Sequence, residues 1–335
     1  NWRGGDLKID LDSDKWNVGL KEVDLDQEIF SSARFIEKNL LPNDKKVELF
    51  LWSGRCNPEG KALKYTDDIS IYNMNGGDPI FDSLFPSYSN ISAFATIIDG
   101  YWQYHTSGSN DFIYTDGWTK NFGNMARLVD HFNYTESPIR ILPLNIYFHF
   151  YIGDRRIGID GLKKALDYCM DNRIAPLFTS DYISIVEDFI NMQLFELADS
   201  GYMVHHNGAL RTLRYDDTKY YPDIKNSHGV IGFVEHQNST YVHLNDHNQQ
   251  VIYLQPTKPE EVYLKYGSHY TDNWLASKEK VTFEARGTGK CIYELINLEP
   301  STSYDLTIMN FYRDETLKSE TLTTDTNGNI KFAWA

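Results

Sequence analysis

The stretch RILPLNIYFHFYIGD, residues 140–154, decides how the chain is read. Apolar and aromatic side chains dominate it and a Gly-Asp pair ends it, so it predicts a buried strand. A histidine, His149, stands near its end. A strand that brings an imidazole to a barrel rim either presents a catalyst or buries a hydrogen-bonded ring. Spacing alone leaves both open.

Working outward, the segments on either side alternate in kind. DLDQEIFSSARFIEKNL (24–40) puts Leu25, Ile29, Ala33, Ile36 and Leu40 on one helical face, with Asp24 placed to cap it and Pro42 just past its end. KKVELFLWSG (45–54) and DISIYNMNGGD (68–78) predict strands, and TKNFGNMARLVDHF (119–132) predicts a helix. GIDGLKKALDYCMD (158–171) is helical. RIAPLFTS (173–180) predicts another strand, after which Ser180 would cap a helix through DYISIVEDFINMQLFEL (181–197). Strand and helix in this rhythm imply parallel strands joined by crossovers, hence an α/β barrel or open sheet. Residues 81–118 break the rhythm with Ser, Gly, Asn and Tyr and predict a long, partly β-structured excursion of the kind that carries function. Beyond residue 199 the helical period is lost and short alternating segments follow, which predicts an all-β module, a sandwich. Within it LEPSTSYDL (298–306) has the pattern of a tyrosine corner at Tyr304. The expected organisation is therefore an α/β region over 1–198 and a β-sandwich over 199–335.

Bulk composition excludes more than it identifies. The 335 residues suit about two domains. A net charge of −15 argues against nucleic acid and anionic membrane surfaces as partners, since both require a cationic footprint. No apolar run is long enough to span a bilayer. Three scattered cysteines, Cys56, Cys169 and Cys291, give neither a disulfide framework nor a zinc-ribbon spacing. The aromatic share of 14% supplies flat faces that suit sugar rings and sheet packing alike.

Ligands of parallel α/β folds meet the C-terminal ends of the strands. Those ends deliver Trp52, Arg55 and Asn57, then Asn73, Asn75 and Asp78, then Asp116 and Trp118, then His149, Tyr151 and Asp154, and last Asp181. Together they describe a polar site with stacking faces, closer to a carbohydrate cleft than a nucleotide one. Each has a plain structural alternative: Arg55 and Asp78 as an ion pair, Asp116 and Asp181 as turn formers or caps. No nucleophile elbow and no P-loop is present, and the adjacent His205 and His206 cannot turn both rings to one face of a strand. A glycosidase would need two facing carboxylates, for which Asp78, Asp116 and Asp181 are available without selecting a pair.

In this order, VELFLWSGRCNP, IYNMNGGDP, YTDGW, SPIRILPLNIYFHFYIGDR, LKKALDYC and PLFTSDYISIVEDF resemble the later part of polysaccharide deacetylases of the NodB-homology type, in the variety found in Pel exopolysaccharide modification proteins. The resemblance implies a partial deacetylase-type (β/α) barrel and a metal-dependent N-deacetylase of an amino-sugar exopolysaccharide, periplasmic or secreted, working with other export proteins of a biofilm polymer. It implies His149 as the acid that protonates the departing amine, and Arg55 as the group orienting a catalytic carboxylate. Asn75 and Asp78 fall at the motif that holds that arginine or the site wall. Trp52, Asn75, Asp116, Trp118 and Tyr151 are the expected substrate contacts. The family's zinc is held by an aspartate and an H-x-x-x-H pair ahead of these motifs. Here the first histidine is His105, and the Asp67–Asp68 pair follows Arg55. The expected metal ligands therefore lie upstream of Asn1 or have been lost. The alternatives carried forward are a non-catalytic carbohydrate-binding or scaffold protein of the same export system, and a glycosidase on the same barrel.

Overall fold

The computed structural model describes residues 24–42, 44–53, 56–76, 80–106, 108–137, 139–172, 174–198, 201–310 and 312–334. The chain divides into two compact units, Asn1–Asn172 and Arg173–Ala335.

In the first unit a π-helical turn, Asp26–Ser31, runs into α1 (Ser32–Asn39). The Asp24 carboxylate accepts the Asp26 and Gln27 N–H groups, as expected of an N-terminal cap. Strand β1 (Leu49–Leu51) is followed by α2 (Gly60–Asp68) and β2 (Tyr72–Met74), and β1 and β2 pair in parallel with Phe50 opposite Asn73. The excursion folds into a hairpin of β3 (Ala95–Ile98) and β4 (Tyr101–Tyr104). Asp99 and Gly100, both at positive φ, form its two-residue turn. β4 joins β2 in parallel at Met74 and Tyr104, which gives a sheet of order β1-β2-β4-β3. Then come the short α3 (Asp111–Tyr114), α4 (Leu128–Glu136) and α5 (Arg156–Asp171).

An open four-stranded mixed sheet thus stands where a stretch of barrel is expected, and the described residues do not close a barrel. The strand expected over 140–153 does not form as a regular strand. It makes one parallel bridge, Tyr147 to Asn110, and Phe150–Asp154 coil into a 3-10 turn. An apolar run specifies burial, whereas a strand also needs a partner for its backbone. Here Pro143 lacks an N–H and the neighbouring segment offers one register point. Two cores result: Ile29, Trp52, Cys56, Ala62 and Leu63 under the sheet, and Tyr114, Met125, Leu128, Phe132, Ile152 and Ala165 around α4 and α5.

The second unit opens with α6 (Thr179–Asn191). The strand expected over 173–180 is absent among its described residues, and Ser180 lies inside the helix instead of capping it. The helix ends at Asn191 and its expected tail becomes the strand Gln193–Glu196. Beyond it the unit is β-rich. A six-stranded sheet runs in the order Ile330–Trp334, Cys291–Ile296, Tyr263–Gly267, Val230–His236, Ser239–Leu244, Thr212–Asp216. Ile231, Leu264, Tyr293, Leu295 and Phe332 form one core, against which Trp274 and Phe283 of one hairpin and Leu306 and Leu322 of another pack. The Tyr304 hydroxyl accepts the Glu299 N–H and donates to the Lys278 carbonyl, the back-bonding expected of a tyrosine corner. Asp188 of α6 accepts N–H groups from Asn207, Ala209 and Leu210, which ties the helix to the β-rich part of the unit.

Candidate active site

The parallel strands of the first unit end in a small, shallow cleft lined by Cys56, Asn75, Gly76, Thr106, Ser109, Asn110 and Tyr147. Its wall is a hydrogen-bonded frame. The Asn75 amide donates to the Trp52 carbonyl at 2.7 Å, and the Gln103 amide donates to the Cys56 and Asn75 carbonyls at 2.6 Å each. His105 Nδ1 donates to the Asn75 carbonyl at 3.1 Å, and its Nε2 faces the Thr96 hydroxyl at 3.0 Å. A carbonyl can only accept, so Nδ1 carries a proton. Burial pushes the ring's pKa below the usual histidine range, against the pull of the Asn75 and Gly76 backbone. Cys56 and Asn75 sit at φ of 49° and 117°, conformations that non-glycine residues seldom adopt. Gly76 beside them, at φ 95°, lies so close to the Cys56 carbonyl that a Cβ would meet it at 3.0 Å.

Beside the cleft the Asn110–Tyr147 bridge positions a dyad. The Asp111 N–H donates to the Tyr147 carbonyl at 3.2 Å, which aligns the two segments. Two residues on, the His149 N–H would continue the ladder to a main-chain carbonyl; it donates to Asp111 Oδ2 at 2.8 Å instead. The other carboxylate oxygen takes His149 Nδ1 at 2.9 Å. One carboxylate thus fixes the backbone and the ring of the same histidine. Asp111 is fully buried, whereas the His149 side chain is 36% exposed. Burial pushes the Asp111 carboxyl above its ordinary value, and the His149 N–H groups pull it back. With Nδ1 engaged, His149 keeps Nε2 free of any partner among the described residues. Such an imidazole can take a proton from one reactant and return it to another.

Aromatic rings surround the histidine. Tyr151 stacks on it at 5.8 Å and 13°, while Trp118 and Tyr147 meet it edge-on at 6.3 and 5.3 Å. Trp118 also abuts Tyr151 at 5.9 Å. Asp116, Gly117 and Trp118 are three successive left-handed residues, and this turn carries the indole to the dyad. A bulky side chain at φ 64° is costly, so the surrounding packing enforces the conformation. The indole N–H is buried and meets no acceptor among the described residues. An unmet buried donor beside an open imidazole is the kind of group that a ligand oxygen would satisfy.

Of the residues expected at the site, His149, Tyr151 and Trp118 come together. Asp116 supplies the turn behind Trp118 and is ion-paired to Lys120 at 2.6 Å in solvent. Trp52 is 7% exposed, packed on Phe50 and bonded through its indole N–H to Asn73, so its ring offers no free face. Asn75 lines the cleft with its amide held by the Trp52 carbonyl. Arg55 and Asp78 lie outside the described residues. Asp181, in the second unit, is paired with Arg286 at 3.0 Å. Sequence reasoning missed Asp111. Its signal, an Asn-Asp pair opening a short helix within the excursion, is that of an ordinary cap, and its partner lies 38 residues away.

Among the described residues no three His, Cys, Asp or Glu side chains converge so as to hold a metal. The H-x-x-x-H spacing does occur in the chain, at His243 and His247, but after the motifs of the resemblance and in the second unit. His243 Nε2 donates to the Lys265 carbonyl at 3.1 Å. No family model, no curated protein and no solved structure matches the chain.

Proposed function

We propose that the first unit is a hydrolytic site for the N-acetyl groups of an amino-sugar polymer, with His149 as its proton-transfer group and Asp111 as the residue that positions it. The observation that carries this reading is the division of the imidazole: Nδ1 held by a buried carboxylate, Nε2 open beside a polar cleft. A carboxylate on Nδ1 fixes the tautomer and stabilises the cation that forms when Nε2 takes a proton. Nε2 would accept a proton from water as the oxygen adds to the amide carbonyl carbon. When the C–N bond breaks, the same proton passes to the departing amine and acetate is left. Tyr151 and Trp118 offer the stacking surfaces that sugar rings prefer. The motif resemblance supports the same substrate class and a setting outside the cytoplasm among exopolysaccharide export proteins. No helix of the described residues is long and apolar enough to cross a membrane. Acetate release from a partly acetylated amino-sugar oligomer tests the proposal; it should be lost in His149→Ala.

A second reading, a non-catalytic carbohydrate-binding protein, draws support from the 59% exposure of Tyr151 beside Trp118. It predicts oligomer binding that falls in Tyr151→Ala with no acetate released by any form.

A further inference from the structure

We propose that His228 and His247, in the second unit, form a two-histidine site for a divalent transition metal, with Cu²⁺, Ni²⁺ and Zn²⁺ as candidates. Both side chains are exposed, and their ring centres lie 5.6 Å apart at a tilt of 36°. Two imidazoles bound to one ion through nitrogens about 2.0–2.1 Å from it, at a near-tetrahedral angle, would place their ring centres roughly 5–5.5 Å apart. The observed spacing is therefore close to that of a ligating pair before the ion enters.

Backbone bonds hold the pair in place. His228 is locked to Val251 by two bonds, its N–H to the Val251 carbonyl at 2.7 Å and the Val251 N–H to its own carbonyl at 2.9 Å. Gly229, next to it, accepts the Asn245 N–H at 2.9 Å, two residues before His247. The His247 carbonyl accepts the Gln250 side-chain amide at 2.6 Å, and its N–H donates to Asn245 Oδ1 at 3.2 Å. Neither ring has a hydrogen bond of its own among the described residues; the contact between the two rings is what they share. Anchored backbones limit the ordering cost of binding, and free imidazoles are the preferred ligands of these ions. Water would fill the remaining positions. By the usual order of affinities Cu²⁺ should bind most tightly, then Ni²⁺.

The test is calorimetric titration of Cu²⁺ and Ni²⁺ into the full chain at pH 7.5, with His228→Ala, His247→Ala and, as a control, the exposed His205→Ala. We expect one site that weakens by at least tenfold in each of the first two variants and is unchanged in the third. Electron paramagnetic resonance of the Cu²⁺ form keeps the test independent of the variants, and hyperfine splitting from two equatorial nitrogens is expected. A site that survives loss of either histidine, or a spectrum with a single nitrogen, would overturn the proposal.

Discussion

At the scale of single residues, Asp111 sets what His149 can do. Its two oxygens take the ring and the backbone N–H of one histidine, so the carboxylate is held by the backbone bond and the imidazole cannot rotate without breaking its own. Asp111→Asn keeps the shape and the backbone bond but can present an N–H to Nδ1, which favours the wrong tautomer. We expect a loss of at least about 10²-fold in kcat with KM little changed and the fold intact, since the same substitution in a catalytic triad costs more than this. Circular dichroism beside initial-rate kinetics would check it; an unchanged kcat would remove Asp111 from the mechanism. Reading the sequence for strand ends and the excursion picks out His149, Trp118 and Tyr151, three rings that meet. It cannot find Asp111, whose importance lies in a contact across 38 residues of sequence. It also nominates Trp52, whose ring turns inward to Asn73, because spacing along a chain does not reveal which way a strand-end side chain points.

At the scale of elements, α5 is the piece on which the dyad segment rests. Ile152 and Ala165 are both in the core with Leu128 and Phe132. α5 approaches the turn before α4 through glycine: a Cβ on Gly161 would lie 2.9 Å from the Gly123 carbonyl and 3.2 Å from the Ala126 N. Both are backbone atoms and cannot step aside cheaply. Gly161→Ala should therefore destabilise the unit by about 1–3 kcal/mol, despite the better helix propensity of alanine. Chemical denaturation measures this, and a stabilised variant would show that the helix does not dock as described. α5 is plain in the sequence because its apolar positions keep the helical period and its ends are free. The expected strand over 140–153 misleads because its residues fit a strand while the chain beside it supplies one bridge. α6 is foreseen but drawn too long, since MQLFEL keeps apolar residues after pairing with the strand Tyr202–His205 has taken over.

At the scale of the whole molecule, buried histidines make stability depend on pH. His105 and His131 are both 6% exposed or less, and burial, the largest influence on each, pushes their pKa below the usual value. The unfolded chain then binds protons that the folded chain does not, so stability is retained above about pH 6.5 and is lost as the pH falls below it. Asp188 adds to the loss at lower pH. Burial alone would raise its pKa, but the Asn207, Leu210 and Ala209 N–H groups hold it below the ordinary value. Its contribution is present above the unfolded carboxylate pKa and lost as the pH falls through the folded one. Urea midpoints should decline from pH 7 to pH 5, and less steeply in His131→Gln. A midpoint that rises on acidification would contradict the burial of these rings. The mixed character of the chain is visible in its alternating periods, helix with strand and then strand alone. The open sheet is not, because closure depends on which edges find partners and no local pattern encodes that.

The most direct measurement is acetate release from a partly acetylated amino-sugar oligomer, followed in parallel for the wild type, His149→Ala and Asp111→Asn, with oligomer binding measured on the same samples. The account predicts release by the wild type, its loss in His149→Ala, a fall of at least about 10²-fold in Asp111→Asn, and binding retained in all three. Release that persists in His149→Ala, or binding by the wild type without any acetate, would contradict it.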